Sequence, residues 1–190
     1  MSLTQITPPT SEPVSLSEAK AHCRVTGSEE DGLIAGYLLA AREYVETHTR
    51  RTMLTQTWEQ IEDVLGDEIR LRKAPILSIT SVRYLDTAGV EQTLAANQYR
   101  LIRRATGEAV IVPAFNVTWP VVQAVEAAVT VRFVAGYGAS SGSIPEAIRQ
   151  AILLLVGHWY AHREAVTIGA APAEVPMAVE SLLFPHRILC

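Results

Sequence analysis

Cysteine is nearly absent from this chain. Cys23 and Cys190 stand near opposite ends of 190 residues, at no ligand-like spacing. They build neither a disulfide framework nor a zinc cluster, so a reducing compartment is the simpler expectation. Long apolar runs are missing too: the longest lies inside 151–157, far short of the ~20 residues of a membrane span. The opening MSLTQITPPTSEP has no positive charge and no apolar stretch, which argues against a signal peptide and for a cytoplasmic-type soluble chain. An excess of basic charge is also lacking. The formal net charge is -4 and the pI about 5.7, which argues against a surface built to neutralise phosphates.

Catalytic signatures are equally sparse. Gly136-Tyr137-Gly138 follows a strand-like run, but no spacing or Lys-Ser/Thr completes a phosphate loop. Ser140 and Ser141 lack the setting of a nucleophile elbow. No acid–base pair assembles, and no cofactor or metal is expected. The one candidate metal pair is His158 and His162, a helical turn apart, which opens the alternative of a metal-dependent hydrolase. A metalloprotease helix needs glutamate directly after the first histidine, and Trp159 occupies that place. A structural role for both imidazoles is therefore preferred, and His162→Ala is expected to cost stability or assembly. A nucleic-acid-binding regulator of helix-turn-helix type is the lesser alternative. Glu29, Glu30 and Asp31 at the start of its recognition helix would be repelled by phosphates.

What is present is alternating helical and strand grammar. Nearly half the residues are apolar, the balance of a folded chain. Residues 1–14, with three prolines, read as a flexible arm. Ser15 and Glu18 form a capping box that opens a helix over 15–24. A longer helix over 28–51 carries Leu33, Ile34, Tyr37, Leu38, Ala41, Tyr44 and Val45 as its apolar stripe. Arg42, Glu46 and Arg50 fall on its other side, where a charged face suits contact between copies. From about 55 to 135, short β-rich runs with hairpin-length turns predict a small antiparallel insertion. Ser143 and Glu146 form a second expected capping box, opening a helix over 144–163. Its stripe includes Ile152, Leu155, His158 and Trp159. With Leu38 and Tyr44 these make the expected core. Residues 165–190 read as a loop followed by a short helix. The expected fold is α+β and mainly helical: a helical bundle with a small β insertion, as one domain over 15–164.

The order of four segments carries a resemblance. They are PVSLSEAK at 13–20; AREYVE at 41–46 with Thr49, Arg50, Arg51 and LTQTW at 54–58; KAPI at 73–76 with Ile79–Val82 and Tyr84; and GYG at 136–138 followed by IPEAIRQAILLLVGHWY at 144–160. Together they resemble the head–tail connector (head-completion or adaptor) family of tailed phages, prophages and gene-transfer particles. The resemblance implies a structural virion protein at the head–tail junction, not an enzyme. It implies a dodecameric ring beneath the portal protein that extends the DNA channel and receives the next tail component, a tail-side stopper. DNA would pass without sequence-specific binding, and no membrane is involved. By position, portal docking falls to 165–190, with Phe184, Ile188 and Leu189 as apolar anchors.

Overall fold

The structure, a computed structural model, describes residues 2–104, 107–163 and 177–188. The chain divides into two compact units: 1–9 with 55–137, and 10–54 with 138–190.

The first unit is built of strands: β1 (Ser2–Thr7), β2 (Gln56–Glu62), β3 (Ile69–Leu71), β4 (Ile76–Leu85), β5 (Glu91–Thr93), β6 (Tyr99–Arg103), β7 (Ala109–Pro113) and β8 (Val129–Ala135). They form two antiparallel sheets, ordered β1-β2-β8-β4-β5 and β3-β7-β6. In β8, Val129, Val131, Phe133 and Ala135 are buried while Thr130, Arg132 and Val134 are less so, the period-two pattern of a strand with one face in a core. That core also takes Ile69, Leu71 and Ile111 from the smaller sheet and Ile76 and Val82 from β4. Gln60 joins the two sheets. Its buried amide donates to Arg70 O (2.8 Å) and its carbonyl accepts from Arg72 N (3.0 Å).

The second unit is built of helices: α1 (Leu16–Cys23), α2 (Asp31–Thr49), α3 (Glu146–Ala161) and α4 (Met177–Leu183). Ser15 and Glu18 close their capping box on α1. Ile34, Leu38, Ala41 and Val45 of α2 are buried, as are Ile148, Ile152, Leu155 and Val156 of α3, with Val179 and Leu183 of α4. Gly157 lets α1 approach α3: a Cβ there would meet His22 Nε2 at 2.9 Å. Arg149 ties α3 to the start of α1, donating to Glu18, to Glu146 Oε2 (2.8 Å) and to Pro13 O (3.3 Å).

Three expectations are corrected. The fold is α+β but not a mainly helical bundle with a small β insertion: eight strands make two sheets among the described residues. Short strands look minor one by one, yet together they share a core of their own. Part of the flexible arm over 1–14 is ordered, since residues 2–7 form β1 and pair with β2. Its side chains are mostly exposed, so backbone pairing rather than apolar burial holds it. The capping box of Ser143 and Glu146 does not form. Pro145 is the N-cap without a side-chain bond, and the Glu146 carboxylate is taken by Arg149 and Gln150 (2.7 Å).

Candidate interaction surfaces

The two histidines lie at the end of α3. His158 is half-buried in the last turn, and His162 is exposed just beyond it, with ring centroids 4.9 Å apart. His162 N donates to His158 O at 3.0 Å. Among the described residues no group of three or more His, Cys, Asp and Glu is placed to hold a metal ion. Trp159 is half-buried and meets the Tyr37 ring at 6.3 Å. Of the expected core, Leu38, Ile152 and Leu155 are fully enclosed, while Tyr44, His158 and Trp159 are only half so. Tyr44 instead stacks on His48, centroids 5.8 Å apart.

The second helix is rotated by part of a turn from the expected setting: Ile34, Leu38, Ala41 and Val45 of the expected stripe are buried, while Leu33 is exposed and Tyr37 and Tyr44 are half-buried. Arg42 and Glu46, expected on an outer charged face, are each only 7% exposed. Arg42 pairs with Glu12 (2.8 Å) and with Glu46 (3.4 Å), and Glu46 Oε1 accepts from Met53 N at 2.9 Å. The stretches around Glu12 and Met53 cover that side, so the two charges satisfy each other within the unit. Arg50 is exposed in the left-handed C-cap of α2. The exposed side of α2 carries Leu33, Ala35, Gly36, Leu39 and Ala40 in its first half, followed by Glu43 and Thr47. An apolar stripe therefore faces outward.

Glu30 and Asp31, at the acidic start of α2, are held in pairs. Asp31 meets Lys20 at 2.5 Å. Glu30 accepts from the Tyr160 hydroxyl and pairs with Arg163 at 2.6 Å, and the Arg163 guanidinium lies 4.4 Å over the Tyr160 ring. The Tyr160 bond first, then Arg163, holds the Glu30 carboxyl below its ordinary range, and the same bond raises the Tyr160 hydroxyl. Most arginines of the strand unit's basic clusters are likewise paired with acids, while Arg103 donates to Ile76 O and Leu77 O. Arg72 pairs with Glu62, Arg83 and Arg132 with Glu59, and Arg70 and Arg104 with Glu68 and Glu108.

The expected docking segment is reached only in part. Residues 164–176, Leu189 and Cys190 lie outside the described residues. Phe184 is 69% exposed in a 3-10 turn over Phe184–His186. Ile188 is buried and its N–H donates to Thr49 O (3.1 Å), so it anchors the turn onto its own unit rather than waiting for a partner. Arg51 Nε donates to His186 O at 2.5 Å. Burial first, then the Arg51 charge, pushes the His186 imidazole below its ordinary value.

One surface escaped the sequence reading. Between β7 and β8, residues 114–128 expose Phe115 (83%) and Val121 (75%). The available signal was an apolar run, AFNVTWPVVQAV, with no charge to solvate it.

The family of phage gp6-like head-tail connector proteins matches residues 13–84. No curated protein matches the sequence. Among solved structures, a chain in the neck of an empty gene transfer agent (GTA) particle, computed with C6 symmetry, superposes with a TM-score of 0.82 at 27% identity. A chain in the virion of the native GTA particle gives 0.80 at 27%, and one in the native particle's neck, computed with C12 symmetry, gives 0.76 at 26%. Each covers 100% of this chain and 97% of its own.

Proposed function

We infer that this protein is a head–tail connector, the reading that the family match over 13–84 and the full-length likeness to GTA neck chains support together, and propose that it works as a ring at the head–tail junction of a phage-like particle. The single observation that carries this is the likeness over the entire chain, both units included, to proteins of a particle neck. In the proposed assembly, copies stand side by side under the portal, prolong the DNA channel and receive the next tail component. The role is structural and asks for no reactive group.

The charge distribution suits such a channel. Arginines already paired with glutamates compete poorly for phosphates, and a formal charge of -4 repels rather than grips DNA. Phe184, exposed on a turn anchored by Ile188 and Arg51, is the residue proposed to meet the portal. The test is to delete the protein from a cell that makes the particle and image the products by electron microscopy. Separate heads and tails are expected, and normally joined particles would refute the reading.

A further inference from the structure

Residues 114–128 form a long connection without strand or helix, of the length at which loops are usually functional. The loop is held firmly. Ala114 N donates to Gln98 O, Trp119 Nε1 to Gly66 O, Gln123 N to Leu85 O and Ala127 N to Asp63 Oδ1, all at 2.8–2.9 Å. Asn116 and Ala127 are both left-handed, with φ of 58° and 59°, a conformation that alanine resists and that here the surrounding bonds impose. Trp119 and Val122 turn inward against the core. Phe115 and Val121 turn outward. A loop fixed this well has little ordering entropy left to lose on binding.

Its chemistry selects the partner. The loop contains no basic residue, and its one charge is Glu126, so neither nucleic acid nor an anionic bilayer is a suitable target. An exposed aromatic beside valine is the kind of anchor that seats in an apolar socket of another protein. Such a socket exists on the helical unit. A cleft of about 530 Å³ there presents Leu16 and Ala35 over the buried Val14 and Leu38, with Glu12 and four serines along its polar side. Glu12 is already engaged by Arg42, and Ala35 joins the cleft to the outward apolar stripe of α2. A ring of identical subunits closes through two different surfaces of the same chain. Among the described residues the loop offers a projecting apolar surface and the cleft a recessed one, both nearly uncharged.

We propose that Phe115 and Val121 of each copy seat in the cleft beside α2 of the next copy, making the loop the ring's subunit contact. The inference rests on the connector reading. The test places photoreactive p-benzoylphenylalanine at position 115 of the full chain within assembled particles, followed by irradiation and mass spectrometry. A covalent dimer of this chain is expected, linked within 11–16, 35–39 or 139–141. An adduct with a different particle protein, or no adduct in irradiated particles, would overturn the inference and leave the connector reading intact. Absence of the native chain from purified particles would overturn the connector reading itself. As a second measurement, Phe115→Ser should lower the yield of joined particles at least tenfold with an unchanged denaturation midpoint. An unchanged yield would overturn the contact even if the labelled chain fails to assemble.

Discussion

Arg42 shows how much a single residue's environment governs its meaning. Its guanidinium is enclosed between Glu12 and Glu46, and Glu46 is as buried as its partner. Removing the cation while keeping the shape, as in Arg42→Met, strands a carboxylate inside the helical unit and should cost about 3 kcal/mol by urea denaturation. His162→Ala should change stability by no more than about 0.5 kcal/mol, because the imidazole is exposed past the end of α3. This reverses the cost in stability anticipated from its place on the helical stripe. Protonation supplies a further residue-scale test. Glu18 is held below its ordinary 4.5 chiefly by the Ser15 hydroxyl and then by Ser15 N–H, and His186 below 6.5 by burial. Both shifts are downward, so the unfolded chain binds protons that the folded chain refuses, and stability must fall with falling pH. The loss should begin below pH 6.5 from His186 and continue below 4.5 from Glu18. Melting temperature against pH checks it: His186→Gln should remove the first part of the decline and leave the second.

At the scale of elements, β1 and α2 are the instructive cases. Residues 2–7 contribute little apolar area, and only Leu3 is partly buried, so no hydrophobic period marks them as a strand. The edge of β2 recruits them. Deleting residues 1–7 would uncover that edge along Thr57–Ile61, and an unpaired edge invites pairing with other chains. The truncated protein should therefore show a lower denaturation midpoint and concentration-dependent association by light scattering. The strands of 55–135 were readable because β-branched runs and turns recur there, and β8 alternates without exception. On α2 most of the inward stripe was readable, since Ile34, Leu38, Ala41 and Val45 are buried, but the burial of Arg42 and Glu46 beside it was not. The stretches around Glu12 and Met53 cover the margin of that stripe and enclose the two charges. A helical wheel contains no information about chain that returns from elsewhere to cover it.

At the scale of the molecule, two units with separate cores predict separable responses. Phe133 is fully buried among the strands, and Phe133→Ala should cost about 3–5 kcal/mol in that unit. Hydrogen exchange should then accelerate across β2, β4 and β8, while α2 and α3 retain their protection. Uniform acceleration through the helices would argue against independent cores.

By itself, the sequence determined the place of α1, α2 and α3 to within a few residues, the strand-rich character of 55–135, the capping of α1 by Ser15 and Glu18, and an order of segments sufficient to suggest a connector. These are local matters, settled by periodicity, propensity and turn chemistry within a dozen residues. Tertiary structure alone decided that the strands form a unit equal in standing to the helices, that β1 completes its larger sheet, that Arg42 and Glu46 face inward, and that Phe115 stands out on a pinned loop. Each of these depends on contacts between residues tens of positions apart, as Arg42 with Glu12 and Trp119 with Gly66. Burial and ion pairing follow from those meetings in space, which no local pattern encodes.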